Sequence, residues 1–417
     1  MTTFQAPSGT RDVLAPESAR VELLVARFAV ACRRAGYGLI ISPMFEDAGV
    51  FRRGVGDESE VVRKEMYEFE DKGGRHLALR PEGTAPVVRA YLQHRPPVPW
   101  KAWYVTPAFR YERPQAGRYR QHHQLGVEAL GTDDPDLDVE VIALLFDFFG
   151  DVGLTRFTLR LNSMGDGVCR PAWVAALTEY LEAHAPELCP EHAEVWARNP
   201  IRVLDCKRPE CVAHRSEMPT MEQFLCDACR AHHDRVTAGL DALAIAYERD
   251  PFLVRGLDYY TRTTFEFGSD ALDAAQNAIG GGGRYDGLAG NLGGPETPGI
   301  GFASGIERLL LAADAEGVLT VEPSLEVFVV DLVGGDAARD LTAELRRAGI
   351  AADRAFDQRS MKAQLRQANA SGARVALIVG EREAADAVVA IRPLRDGSDQ
   401  ELVKRTDLVG RIRELLH

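Results

Sequence analysis

Positive charge is what this chain is short of. Its 417 residues carry 49 lysines and arginines against 62 aspartates and glutamates, a formal net charge of −13. That balance excludes a protein coated uniformly in positive charge for sequence-blind nucleic-acid binding, while leaving room for a local basic site. Long apolar runs are missing too. The greasiest stretch, "VIALLFDFFG", is broken by Asp147, and the N-terminus "MTTFQAPSGTRDVLAPE" holds no apolar segment of signal-peptide length. These absences predict a cytoplasmic protein with no membrane association. No internal repeat or low-complexity tract is visible. Cysteine is sparse and odd in number, seven in all, which favours reduced thiols or metal ligands over a disulfide framework. Six of the seven fall between Cys169 and Cys229.

What is present is a folded chain, 46% hydrophobic and 27% charged, long enough for two or three domains. Residues 17–36 place apolar side chains at helical spacing and stop at Gly36, before the extended "YGLIISPMFE". "HLALRPEGTAPVVRAYL" reads as a strand, a Pro/Gly turn and a helix capped by Thr84. "WKAWYVTPAFRYE" and "HHQLGVEAL" alternate as two strands of a hairpin around the basic loop "RPQAGRYRQ". A helix pattern follows over 138–149, then a strand at "RFTLRLNS". Residues 170–245 are mostly helical in pattern and interrupt strand-rich material on both sides, which predicts an inserted helical domain. The boundaries expected are 1–168 and 247–320 for the two parts of one domain, 169–246 for the insertion and 325–417 for a terminal domain. In that last segment "LEVFVVDL", "RVALIVG" and "AVVAIRPL" alternate with amphipathic helices, as in a small α/β domain of about ninety residues.

Three clusters carry chemistry. Arg110, Glu112, Arg113, Arg118 and Arg120 sit on the hairpin. Guanidinium forks suit phosphate or carboxylate, so arginines facing a cleft would make a polyphosphate site. The same residues equally describe a solvated, salt-bridged hairpin face. The second cluster is "IGGGGRYDGL" with "GIGFASGIERLLL", where glycines let backbone approach a ligand and Arg308 opens an apolar helix. Taken alone, it reads as a pair of tight turns packing strand on helix. The third, "LVRGLDYYTRTTFEF", sets Arg255 and Asp258 beside Tyr259 and Tyr260. This suits a small amphipathic ligand, or merely buried tyrosines with backbone partners.

In combination and order these segments resemble a known family. "FRYE" with its basic loop resembles motif 2 of the class II aminoacyl-tRNA synthetases, "YGLIISPMFED" with Pro43 motif 1, and "GIGFASGIERLLL" motif 3. "LRPEGTAPVVRAY", "ERPQAGRYRQHHQLGVE", "LVRGLDYYTRTTFEF" and "GGGRYDGL" are similar to the histidyl-tRNA synthetase family, and the resemblance runs from "GTRD" through nearly the whole chain. It implies an α+β fold: a class II antiparallel sheet flanked by helices, a helical insertion and a C-terminal α/β anticodon-binding domain, assembled as a homodimer through motif 1.

The activity implied is ATP-dependent conversion of L-histidine to histidyl adenylate and transfer to the 3′ end of tRNA(His), with AMP and pyrophosphate released. By the resemblance, Arg110 holds the α-phosphate and substrate carboxylate. Arg308 clamps the γ-phosphate near the adenine, and Arg255 supplies charge at the α-phosphate that other class II enzymes draw from a metal. Glu112, Arg118 and His122 complete the ATP site, His122 standing where the family has a phenylalanine, and magnesium accompanies the outer phosphates. Glu82, Thr84, Gln124, Glu128, Tyr259 and Tyr260 form the histidine pocket, the two carboxylates serving the ammonium and a ring N–H. Gln115 and Arg118 are placed for the tRNA acceptor end. Arg354, Arg359, Lys362, Arg366 and Arg374 form an anticodon-arm face, or an ordinary solvated one.

Two rivals share the resemblance. One is a non-enzymatic paralogue that regulates ATP phosphoribosyltransferase, expected to lack the anticodon domain and much of the ATP and tRNA machinery. The other is a tRNA-sensing domain, normally tethered to a kinase for which this chain has no room. Within the insertion, Cys226 and Cys229 have ligand spacing and Cys206 and Cys211 a slightly wider one, with Cys189 and His192 as further candidates. A structural zinc on Cys206, Cys211, Cys226 and Cys229 is the expectation, although the family does not require a metal there.

Overall fold

A computed structural model describes residues 4–56, 59–192, 196–273, 277–322, 324–357, 359–395 and 399–416. Two units divide at Thr320. Among the described residues no helix is long and apolar enough to cross a membrane.

The first unit is organised by an eight-stranded sheet. From one edge it runs Gly38–Leu39, Trp100–Phe109, Gln121–Leu130, Gly299–Gly305, Ala278–Arg284, Thr261–Ser269, Phe157–Ser163 and Glu248–Arg249. Neighbours are antiparallel except for the two-residue edge strands, which pair parallel. The twofold period of Gln121–Leu130 decides the layering. Leu125, Val127 and Ala129 point to one face and enter a core with Phe28, Phe148 and Leu309. Helices Glu17–Arg34, Pro135–Val152 and Ile306–Glu316 supply that core's other side. Pro135–Val152 extends three residues beyond the 138–149 pattern at each end, the Asp134 side chain accepting from the Asp136 N–H and Gly153 closing the helix at φ 101°. Gln124, Gly126 and Glu128 take the opposite face of the strand.

That opposite face is flanked by a three-stranded sheet of Phe45–Asp47, His76–Leu79 and Tyr67–Glu70 with helices Ala48–Val55 and Thr84–His94. Their core joins Phe51, Val55, Ala78 and Val88 to Tyr259, Tyr260 and Tyr285. The helix opening at Thr84 departs from the sequence expectation. Its N-cap is Gly83, and the first-turn N–H groups of Thr84 and Ala85 donate instead to the preceding Glu82 carboxylate at 2.6 and 3.0 Å, while the Thr84 hydroxyl is engaged by Glu128.

The insertion is helical in short pieces. Among the described residues Arg170–His184 and Asp227–Ala242 bracket the short 3₁₀ segments Ala185–Glu187, Pro200–Asp205, Arg215–Glu217 and Met221–Phe224 and the helix Pro209–His214. Pro186, Pro200, Pro209 and Pro219 punctuate this stretch and prevent longer helices. Its small core gathers Trp173, Leu177, Leu181, Leu204 and Met221 with buried cysteines. A buried polar cluster is among the ties that join it to the rest of the unit. Asp138 accepts from Arg284 at 2.9 and 2.6 Å and lies 3.1 Å from His232 Nε2, and neither Arg284 nor Asp138 is exposed. Burial alone would raise the Asp138 carboxyl; the His232 and Arg284 bonds outweigh it and hold it below its ordinary value.

The second unit has a five-stranded sheet in the order Ala352–Arg354, Val327–Asp331, Val375–Val379, Val388–Pro393, Glu401–Lys404, the first three parallel. Val327 and Val329 pack with Leu341, Leu345 and Ile412 on one face; Phe328 and Val330 pack with Ala368 on the other. Covering on both faces is why these central strands read as unbroken apolar runs.

Candidate active site

The open face of the large sheet is floored by register. Across neighbouring strands the partners run Ala102, Glu128, Gly301, Gly283, Thr264, and two residues along, Tyr104, Gly126, Ala303, Gly281, Glu266. The glycines are seats for side chains. A methyl group added at Gly126 would lie 2.6 Å from the Tyr104 ring, at Gly281 2.9 Å from the Arg255 guanidinium, and at Gly283 2.9 Å from the Tyr260 ring; at Gly301 it would collide with the Glu128 carboxylate. The Gly280–Gly283 run therefore belongs to mid-strand, not to the pair of tight turns that its composition alone indicates. Backbone without side chains lets four functional groups lie flat on the sheet.

Glu128 is fully buried and ringed by hydroxyls. Thr84 Oγ1 donates at 2.7 Å, Tyr104 at 3.1 Å and Tyr285 at 2.5 Å. Burial pushes its carboxyl up to about 8, the hydroxyl bonds offsetting only part of the effect. Glu82 is also raised by burial, opposed by the Ala85 and Thr84 N–H groups and by Arg110. Beside them Tyr259 and Tyr260 lie with ring centroids 4.7 Å apart. The amide oxygen of Gln124 is buried with no hydrogen-bond partner among the described residues, which marks a place for a ligand donor.

A cleft of about 910 Å³ collects most of the residues singled out from sequence: Glu82, Thr84, Arg110, Glu112, Arg118, His122, Gln124, Arg255, Tyr259, Tyr260 and Arg308. Glu128 is sealed behind Thr84, Tyr104 and Tyr285 instead of lining the wall, and Gln115 sits exposed at the hairpin tip. Arg110 is aimed by a bond from its Nε to the Pro81 carbonyl at 2.9 Å. Arg255 pairs with Glu266, and Arg308 donates to the Ala278 carbonyl at 2.8 Å. The hairpin arginines divide by task. Arg118 stands 3.7 Å from Glu112, whereas Arg120 turns away to cover the Tyr111 ring at 3.9 Å, and Arg113 faces solvent. Gly117, at φ +70°, lays the tip against Arg308 and Leu311.

His122 is pushed down to about 4, first by burial and then by Arg110, so its imidazole is neutral near pH 7. Its neighbour His123 is committed to Glu307, which accepts from its backbone N–H at 3.0 Å and meets its ring at 2.9 Å. Sequence reasoning passed over Tyr104, Tyr285, Glu266 and Glu307. Tyr285 stands inside the quoted "GGGRYDGL", but nothing in an alternating strand distinguishes Tyr104. The expected cysteine foursome does not assemble. Cys206 and Cys211 lie in one group, Cys226 and Cys229 in another.

An antiparallel sheet with helices on one face, and on the other a cleft walled by arginines from a hairpin, from the segment before a floor strand and from the helix after another, defines the core of a class II aminoacyl-tRNA synthetase. Residues 9–309 match the family model for histidyl-tRNA synthetase, and residues 326–415 that for an anticodon binding domain. The chain is 49% identical over 402 residues to the histidine–tRNA ligase of Moorella thermoacetica, with 95% of each covered. It is 45% identical over 425 residues to that of Streptomyces coelicolor, covering 100% of this chain and 99% of the relative. The crystal structure of apo S. aureus histidyl-tRNA synthetase superposes with a TM-score of 0.81 at 35% identity, covering 99% of this chain and 100% of that one. The chain belongs to the histidyl-tRNA synthetase family.

Proposed function

We propose that this protein is a histidine–tRNA ligase that activates L-histidine with ATP and transfers the histidyl group to tRNA(His). The observation that carries the reading is the convergence of Arg110, Arg255 and Arg308 with Glu82 and the unpartnered Gln124 oxygen in one cleft. In the first step a carboxylate oxygen of histidine attacks the α-phosphorus of ATP, the bond to the bridging oxygen breaks, and pyrophosphate leaves. Such a step needs two anions held together and growing charge met by fixed donors. Arg110, braced on Pro81, holds the α-phosphate and the substrate carboxylate. Arg255, its charge kept in place by Glu266, faces the same centre from above the glycine strand, where it lies over Gly281. Arg308 takes the γ-phosphate, and neutral His122 stacks on adenine. Glu112 offers an oxygen donor of the kind a hard cation takes, so it would hold the magnesium that comes with ATP, an ion that would neutralise charge on the outer phosphates.

Histidine itself presents cationic and ring N–H donors. Glu82 has lone pairs beyond those engaged by the helix N-terminus, and Gln124, Tyr259 and Tyr260 offer further partners. Glu128 acts through the hydroxyls of Thr84 and Tyr285, fixing which way they point. Hydrogen-bond recognition of this kind discriminates by roughly 10⁴ or more against ligands that leave buried groups unpaired.

In the second step a ribose hydroxyl at the tRNA 3′ end attacks the histidyl carbonyl and AMP departs. Gln115 and Arg118 on the hairpin tip meet the acceptor end. In the second unit Lys362 and Arg366 are exposed four residues apart on Met361–Ala370, with Arg354 stacked 4.5 Å from exposed Phe356; these form the anticodon-arm face. Arg374 has another task, bonding the Leu416 carbonyl at 2.6 Å. Exposed Leu39, Ile41, Met44, Phe45 and Phe69, on and beside motif 1, make the apolar surface through which two copies form a homodimer in the cytoplasm.

The test is histidine-dependent exchange of labelled pyrophosphate into ATP, with other amino acids as controls. Exchange with histidine alone supports adenylation and its specificity. Folded protein that binds histidine and gives no exchange would favour the paralogue that regulates ATP phosphoribosyltransferase, against which the three arginines and the anticodon-binding unit now count.

A further inference from the structure

The cysteines of the insertion collect about two points. Cys189, His192, Cys206 and Cys211 form one group and Asp166, Cys169, Cys226 and Cys229 the other, and within each the ligand atoms all lie within 4.8 Å of one another. We propose that each group binds one zinc ion, so that the chain holds two structural zincs where its sequence indicates one.

The sulfur spacing is that of a tetrahedral site. Zn–S bonds of about 2.3 Å at the tetrahedral angle set an S···S edge of about 3.8 Å. Cys189 and Cys206 Sγ are 3.9 Å apart, and Cys169 and Cys229 Sγ 3.8 Å. All seven cysteines are free thiols. His192 Nδ1 stands 3.1 Å from Cys189 Sγ and completes a closed set of three sulfurs and a nitrogen, the ligand complement of a structural zinc.

Each group also has an outer shell. Backbone N–H groups point at the sulfurs, from Cys189 to Cys211 and from Arg208 to Cys206 at 3.5 Å, and from Asp166 to Cys169 at 3.4 Å. Such donors favour thiolate and orient it. In the second group Cys226 is the N-cap of Asp227–Ala242 and Cys229 lies in its first turn, where the helix dipole stabilises negative sulfur. That group carries one more negative charge than the first, and Arg262 stands 3.7 Å from Asp166 to offset it.

The fold explains what two ions would do. Among the described residues between His184 and Asp227 the longest regular elements have six residues, too little repetitive hydrogen bonding and apolar burial to hold that stretch by itself. The first ion cross-links residues 189–211, beside the cleft that His192 and Cys206 help to line. The second ties Asp227–Ala242 to the turn that leaves strand Phe157–Ser163.

The test is metal content. The full chain, purified in reducing buffer without chelator, is assayed for zinc by mass spectrometry, and chelator-treated protein is titrated with zinc and with cobalt. Two zincs per chain are expected, with intense cobalt–thiolate absorption at two equivalents. Cys206→Ser and Cys226→Ser should each lose one ion and keep the other. Less than about half an equivalent in the wild-type chain would overturn the proposal. So would a single equivalent, whether abolished by both substitutions, meaning one shared site, or by only one, leaving the other group a thiol cluster. The wild-type count decides even where a variant misfolds, and it stands apart from any result in pyrophosphate exchange.

Discussion

The Glu128 carboxylate rests against Gly301, its cross-strand partner, in the space that any side chain there would need. Gly301→Ala should therefore drive the carboxylate off the hydroxyls of Thr84, Tyr104 and Tyr285. A loss of about 1–3 kcal/mol in urea unfolding is expected from overpacking. Histidine-dependent exchange should fall at least tenfold. Full exchange in a destabilised variant would separate Glu128 from substrate handling.

The same carboxyl predicts a pH dependence of stability. Its ordinary value is 4.5 and burial raises it to about 8. Below the lower value it is protonated folded or unfolded and costs nothing. Between the two, the unfolded chain ionises and the folded chain does not, so stability falls as pH rises; above the upper value the full cost remains. Glu128→Gln removes this titration. Thermal unfolding of the variant should gain on the wild type steadily from pH 5 to 8, and a constant gap between them would count against a neutral Glu128.

Arg255→Ala should slow single-turnover adenylate formation by at least roughly a hundredfold, the usual loss when a preorganised charge is removed from a transition state. The Arg255–Glu266 pair is partly exposed, so the fold should survive. Near-normal rates would take Arg255 out of the mechanism.

His122 tests whether a neutral imidazole replaces a phenyl ring. His122→Phe should leave the KM for ATP within about threefold, whereas His122→Ala should raise it roughly tenfold through lost stacking. Between pH 6 and 8 the wild-type KM should not follow a histidine titration, because His122 titrates near 4. Equal values for the two variants would remove His122 from the adenine site.

Much of the layering was legible in the sequence because it follows from period two. Leu125, Val127 and Ala129 against Gln124 and Glu128 is a pattern that any strand with one buried face produces. The glycine run was opaque for a physical reason. Composition alone marks glycine as turn-forming, and only the presence of Arg255 and Tyr260 above Gly281 and Gly283 shows why a central strand tolerates it. The Thr84 cap failed similarly, since its hydroxyl had a partner 44 positions away in sequence. Ligand spacing identified the cysteines but not their partition, because Cys169 meets Cys229 across sixty positions that no local spacing rule spans.

The Arg284–Asp138–His232 tie bears on how such proteins can be cut and recombined. Each partner comes from a different part of the chain: a floor strand, a helix behind the sheet and the insertion. Grafting another protein's insertion into this scaffold, or trimming it to a minimal loop, would remove His232 and leave Asp138 to Arg284 alone in a dry interior. A transplant of the insertion must carry the residue facing position 138 with it, so its practical boundary is drawn by a buried charge and not by the ends of the inserted segment.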